Sequence, residues 1–157
     1  METPATILVM MNLLFLEPQK LDDMQSQRIT HITIQTLVSG IITDVFIMNP
    51  DLLDALFDHL DVLDVSLEGA QARSNCIAKI VSILFEKFTT QMITYFQTRE
   101  TFIPTLLVHT HDPNLMENLY KFADCDLTHQ WLYDSNLMTR LVSLLHQDEP
   151  LEVSDLL

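Results

Sequence analysis

Apolar residues recur along this chain at steps of one and three, the spacing that buries one broad face of an α-helix. Four such stripes are separated by short polar breaks. They comprise Leu52, Leu53, Leu56, Phe57, Leu60 and Leu63; Cys76, Ile77, Ile80, Val81, Leu84 and Phe88; Leu115, Met116, Leu119 and Tyr120; and Leu137, Met138, Leu141, Val142 and Leu145. The pattern predicts an all-α protein.

Two segments need separate arguments. Residues 29–47 are rich in Ile, Thr and Val, which favour strands, but this run is longer than most strands and meets no turn residue before Gly40. We therefore predict helix there. The apolar run 7–16 resembles a signal peptide but lacks a preceding basic residue and a small-residue cleavage site, so a first core helix is the better prediction.

Helix-start signals recur at intervals of about forty residues. An Asn or Asp cap precedes a proline at two places, and a third start is expected at Asp134-Ser135. The two places are Asn49-Pro50 and Asp112-Pro113. Starts near Asn49, Thr90 and Ser135 lie 41 and 45 residues apart. These intervals predict a short right-handed stack of HEAT- or armadillo-like helix pairs, an α-α superhelix; the alternative is an irregular helical bundle.

Composition narrows the possible functions. The chain has 22 acidic and 8 basic residues and a net charge of -14, which disfavours nucleic acid and an anionic membrane as partners. With Gly40 and Gly69 as its two glycines, it cannot form a phosphate-binding loop or a nucleophile elbow. Two distant cysteines suggest buried free thiols in a reducing cytosol.

Two groups of residues could carry chemistry. His109, His111 and Asp112 have the donor types of a metal site, although capping explains Asp112 and a helix end explains His109.

The second group is an acidic face. Asp51, Asp54, Asp58 and Asp61 share one face of a helix, where they form either a solvated surface or an electrostatic footprint for a basic partner.

Trp131 is expected to plug the core, with an exposed aromatic anchor as the alternative. No activated nucleophile is visible, so neither catalysis nor a cofactor is predicted.

An ordered series of motifs resembles the SAPS family, regulatory subunits of the protein phosphatase 6 class of Ser/Thr phosphatases. The series begins with Phe85 and Lys87 and continues through a Tyr-Phe pair, an F-x-x-x-L-L-x-H element, an L-M-E helix, a Trp-Leu pair and an R-L-V element. Its members are Tyr95-Phe96, Phe102, Leu106, Leu107, His109, Leu115, Met116, Glu117, Leu119, Phe122, Trp131-Leu132, Arg140-Leu141-Val142 and Pro150. Upstream, Glu17-Pro18-Gln19, Thr43-Asp44-Val45 and the helix from Leu53 to Leu60 extend the similarity.

The resemblance implies a noncatalytic regulatory or scaffold subunit that binds a type 2A-like phosphatase catalytic subunit and modulates its activity or targeting, in the cytoplasm or also the nucleus. It implies one partial SAPS-like domain over 1–157. Within it, 1–20 form a first helix and proline turn, 21–150 form helix pairs, and 151–157 start a truncated helix after Glu149-Pro150. The alternatives are a metal-binding or enzymatic protein and a degenerate remnant.

The resemblance does not identify the residues that touch a phosphatase. The turn and helix from position 111, together with the acidic face, are the predicted partner-binding surfaces. Their residues are His111, Asp112, Asn114, Glu117 and Lys121, and Asp54, Asp58 and Asp61.

Overall fold

The computed structural model describes residues 3–15, 23–63 and 70–147, and over these ranges the chain is helical without strands. The all-α prediction is therefore confirmed. The helices are α1 (Pro4–Phe15), α2 (Asp23–Leu37), α3 (Gly40–Met48), α4 (Pro50–Asp61), α5 (Ala70–Lys87), α6 (Thr89–Thr98), α7 (Phe102–Val108), α8 (Pro113–Ala123), the 3₁₀ turn η1 (Asp126–Thr128), α9 (His129–Asp134) and α10 (Leu137–Gln147).

The N-terminal helices settle both ambiguous segments. Ile7, Met11 and Phe15 lie at steps of four on α1 and are buried, which confirms a first core helix. Helices α2 and α3 occupy the stretch rich in β-branched residues, with a break around Ser39. Packing therefore overrides strand propensity here: Phe46 on α3, for example, is fully buried in the core.

Helices about forty residues apart in the chain lie side by side and run parallel. Between α5 and α8, contacts advance together along both helices, from Ser74 with Asp112 to Ala78 with Asn118. Between α4 and α6, Tyr95 bonds to Asp54. Such parallel pairing is expected when equivalent helices of successive repeats stack on each other, and it agrees with the interval between the predicted helix starts. The protein is thus a helical stack.

The aromatic centre of the stack joins α4, α6, α7, α8 and α9. The Phe96 ring lies 4.0 Å from that of Phe102, in a stacked arrangement, and 5.3 Å from that of Trp131. Phe57 and Phe122 meet the same group at steeper angles. Trp131 is 6 % exposed, which confirms its prediction as a core plug.

The apolar stripes are buried where a later helix covers them. On α4, Leu52, Leu53, Leu56, Phe57 and Leu60 are all buried, as predicted, while Leu63 follows the end of the helix.

At the end of the described stack the prediction of burial is wrong. Tyr120, Met138 and Leu145 are each more than 70 % exposed, and Val142 is 47 % exposed. No described helix covers these positions.

The predicted caps have different outcomes. The Asp112 carboxylate accepts from the backbone N–H groups of Asn114 and Leu115, which confirms the cap. Asn49 precedes α4 as predicted, but its side chain makes no cap; Nδ2 donates to the carbonyl of Val45 instead. Helix α10 begins at Leu137, two residues after the predicted start. The predicted helix stop at Glu149-Pro150 lies outside the described residues.

Among the described residues, no single helix is long and apolar enough to cross a membrane. By length and composition alone one bent pair qualifies, formed by His31–Leu37 and Ile42–Met48 at 61°.

Candidate functional site

Asp112 lies inside the stack, at the junction of α5 and α8. Its side chain is 3 % exposed, and besides capping α8 it accepts hydrogen bonds from the Ser74 hydroxyl and, at 3.4 Å, from the Gln71 amide. Four donors thus converge on the two oxygens of this side chain, two from the start of α8 and two from α5. Asp112 therefore holds two helices together, and its carboxylate is not presented to a partner.

The polar contacts continue along the α5–α8 interface. The Asn114 side chain donates to Asn75, and buried Asn118 donates to the carbonyl of Ala78 at 2.9 Å. Lys121 then bridges Ser82 and Glu86 at 2.6 and 2.7 Å.

The last of these contacts is an ion pair between Lys121 on α8 and Glu86 on α5. A hydrogen bond and the charge of Lys121 lower the pKa of the Glu86 carboxyl. Asn114 and Lys121, which we predicted as partner-binding, are thus engaged with the preceding repeat. Their role towards a partner stays a prediction.

His109 and His111, the two histidines of the predicted metal site, lie in different environments. His109 directly follows α7 and is 3 % exposed; its Nε2 lies 3.3 Å from the carbonyl oxygen of Leu60, and its Nδ1 is buried without a hydrogen-bond partner. His111 is exposed, and the two rings are 6.3 Å apart. Within the described parts of the chain, no three His, Cys, Asp or Glu side chains come together closely enough to hold a metal ion.

The acidic face of α4 contains an ion-pair network centred on Arg99. One guanidinium nitrogen lies 2.8 Å from Asp58 and 2.6 Å from Asp61, and another lies 3.6 Å from Asp54. Desolvation disfavours the charge of Arg99, but the hydrogen bonds that its guanidinium donates to Asp58 and Asp61 outweigh this effect and raise the pKa of Arg99 above its usual value.

The same face also bonds to Tyr95 and Thr105. The Tyr95 hydroxyl donates to Asp54 at 2.6 Å, and the Thr105 hydroxyl donates to Asp61 at the same distance. Desolvation, together with the neighbouring Asp54 carboxylate, raises the pKa of Tyr95. One arginine thus meets three carboxylates, so the face keeps a negative excess, to which the exposed Asp51 adds.

Sequence reasoning missed Arg99, because the residues that it joins are far apart in the chain. Arg99 follows Asp58 by 41 residues, which is the repeat interval itself. Pairing oppositely charged residues one repeat apart would have found it.

Arg99 also lines a cleft of about 460 Å³ between the turns that follow α6 and α9. Arg140, Glu100, Asp134 and Asn136 share its wall. Since the cleft carries both signs of charge and Arg99 faces the α4 carboxylates, the lining of the cleft indicates no particular class of ligand.

Cys76 is a buried free cysteine, as predicted. It is fully buried on α5, and burial raises its pKa to about 12. A thiolate is therefore scarce at neutral pH, and Cys76 does not have the properties of a nucleophile. Cys125 is a free cysteine at an intermediate depth.

Together these features define an all-helical stack in which polar contacts at the α5–α8 interface and around Arg99 join successive repeats. Comparison with known families adds a more specific assignment. The SAPS family model, described as SIT4 phosphatase-associated protein, matches residues 81–156. This match confirms the predicted resemblance to that family over the part of the chain from the middle of α5 onward. No curated protein and no solved structure matches the chain.

Proposed function

We propose that this protein is a noncatalytic regulatory or scaffold subunit that binds the catalytic subunit of a type 2A-like Ser/Thr phosphatase, of the protein phosphatase 6 class, and modulates its activity or targeting in the cytoplasm. The SAPS match over residues 81–156 carries the proposal, because that family is described as phosphatase-associated. The helical stack supports it, since such stacks offer extended surfaces to other proteins.

Exposure divides the predicted binding residues into two groups. His111 and Glu117 are exposed beside the start and middle of α8, so a partner can reach them. Asp112 is buried, and Asn114 and Lys121 bond to α5. We therefore place the first phosphatase-binding surface on His111 and Glu117.

The acidic face is the second proposed surface. Asp54 and Asp58 are exposed by more than half, while Asp61 is one-third exposed and turned towards Arg99. A surface with excess negative charge accelerates encounter with a basic partner, and salt weakens the effect. Charge reversal at Asp54 or Asp58 would also break the Arg99 network, so Asp51→Lys is the cleaner probe.

The direct test is binding of the full chain to purified phosphatase catalytic subunit at moderate salt, with rates measured by surface-based interferometry. Glu117→Lys should accelerate dissociation, and Asp51→Lys should slow association, most at low salt. Glu100→Lys makes the same charge reversal in an exposed turn outside both surfaces and serves as the control.

Two outcomes would count against the proposal. If the folded chain does not bind the catalytic subunit, the proposed partner is wrong. If it binds but Glu117→Lys and Asp51→Lys both behave like the control, the partner stands and the two surfaces are wrong. The alternative to a functional subunit is a degenerate remnant of such a protein. A cooperative thermal transition of the isolated chain would argue against this alternative.

A further inference from the structure

Helix α8 carries an exposed tyrosine between two carboxylates. Glu117 precedes Tyr120 by three residues, and Asp124 follows it by four, with a backbone N–H that still donates to the carbonyl of Tyr120. The three side chains therefore share one side of the helix. Tyr120 is 75 % exposed, both acids are exposed, and neither acid forms an ion pair with another described residue. We call these three residues the α8 ridge.

The same spacing occurs on α4, where the structure shows what such a face can bind. Asp54 precedes Phe57 by three residues, and Asp61 follows it by four. The guanidinium of Arg99 reaches both carboxylates, at 3.6 and 2.6 Å, and its Cζ lies 5.8 Å from the centre of the Phe57 ring. An aromatic ring with carboxylates at these two positions therefore forms an arginine site in this protein.

The α8 ridge differs from the α4 site in two respects. Its ring is exposed, whereas Phe57 is buried in the core, so a guanidinium can approach the Tyr120 ring directly from solvent. The position of Asp58 is occupied on α8 by Lys121, whose charge is balanced by Glu86 at 2.7 Å. The ridge thus keeps two carboxylates without a compensating cation on either side of its ring.

Charge indicates what kind of molecule can occupy the α8 ridge. Within the chain, Lys121 pairs with Glu86, and Arg140 donates to the carbonyl of Ser135. No Lys or Arg follows Arg140 in the sequence, and a second copy of a chain with a net charge of -14 would be repelled. A positively charged group of another protein has the complementary charge.

We propose that the α8 ridge receives an arginine side chain of a partner protein, with the guanidinium on the Tyr120 ring and bonded to Glu117 and Asp124. The proposal deepens the function proposed above and rests on it for the identity of the partner, since in that function the arginine belongs to the phosphatase catalytic subunit. Tyr120 is then the anchor of the surface that includes Glu117. Tyrosine and arginine are among the residue types that most often dominate the energy of an interface.

The test measures binding of the full chain and its variants to purified phosphatase catalytic subunit by surface-based interferometry. Tyr120→Leu removes the ring and should weaken Kd by about five- to thirtyfold, whereas Tyr120→Phe keeps the ring and should stay within about twofold. Tyr133→Leu is the matched control. Tyr133 is 80 % exposed on α9, but Gln130 and Leu137 stand at the positions of the two carboxylates.

A second measurement does not depend on the phosphatase. A hexa-arginine peptide is titrated into the isotope-labelled full chain, and the backbone amide resonances are followed by NMR. The amides of Glu117, Tyr120 and Asp124 should shift further than those of Gln130 and Tyr133, and Tyr120→Leu should remove most of this difference. Unfolding curves of each variant keep a loss of fold separate from a loss of binding.

The two measurements separate failure of this proposal from failure of the proposed function. If the catalytic subunit does not bind but the peptide shifts the ridge amides, the partner is wrong and the arginine site stands. If the catalytic subunit binds but Tyr120→Leu behaves like Tyr133→Leu, the proposed function stands and the α8 ridge is not the arginine site. Equal peptide shifts at the ridge and at Tyr133 would also overturn the site. Equal losses in Tyr120→Phe and Tyr120→Leu would do the same, because they would assign the contact to the hydroxyl group.

Discussion

Replacing Asp112 by alanine tests the assignment of this residue to the interior of the stack. Its carboxylate receives the backbone N–H groups of Asn114 at 2.9 Å and Leu115 at 3.3 Å, and the hydroxyl of Ser74. The substitution therefore removes the cap of α8 and leaves a buried hydroxyl on α5 without its acceptor.

The expected loss follows from these contacts. An N-cap contributes about 1 kcal/mol, and a hydrogen bond to a buried charged group about 1.5–3 kcal/mol. The contacts share one carboxylate and are not additive. We expect Asp112→Ala to lower the free energy of unfolding by about 2–4 kcal/mol, a fall in Tm of roughly 5–15 °C.

Urea and thermal unfolding of the variant, followed by circular dichroism, measure this loss. Asp124→Ala is the control, because Asp124 is exposed at the C-terminal end of α8, where losing a negative charge is neutral or slightly favourable. The double variant with Ser74→Ala should lose less than the sum of the two single losses. A stability of Asp112→Ala within about 0.5 kcal/mol of the control would refute the assignment.

Three further predictions follow from other contacts. Arg99→Met should cost about 1–2 kcal/mol, less at high salt because the carboxylates are partly exposed, while Arg28→Met on α2 should leave stability unchanged. His59→Gln should reduce the loss of stability between pH 7.5 and pH 5: burial lowers the pKa of His59 from 6.5, so the unfolded chain binds more protons and the folded state is disfavoured as pH falls. A thiol reagent should modify Cys125 well before Cys76 in the native protein, and equal rates would contradict the burial of Cys76.

Local periodicity was enough to predict which elements form. The five inward residues of α4 follow directly from the step of three and four, because any stable helix of that pattern must bury them. The predicted interval of about forty residues between helix starts also agrees with the separation of the helices that pair in the structure. This interval reflects the length of a helix pair and its turns. The ambiguous stretch before Met48 was decided by its length, which a strand would not match.

Periodicity was not enough to predict which faces stay covered. Tyr120 and Met138 belong to regular apolar stripes, yet they are exposed, because burial requires a neighbouring helix that local spacing does not reveal. The same limit applies to charge. Asp54 and Asp58 were correctly placed on one face, but the arginine that bridges them comes from α6, one repeat further along.

The polar contacts between repeats bear on how this stack can meet a partner. Asp112, Asn118 and Lys121 each bond to a different turn of α5, so sliding the helices by one turn would leave a buried carboxylate and a buried amide without their partners. That penalty specifies one register where an apolar interface alone would tolerate several. A stack fixed in this way presents Glu117 and the α4 acids at constant positions, and such preorganisation lowers the entropic cost of binding. If the proposed phosphatase is the partner, substitutions at the buried contacts should weaken its binding through the shape of the stack, whereas substitutions at exposed residues should change binding while leaving the unfolding curve intact.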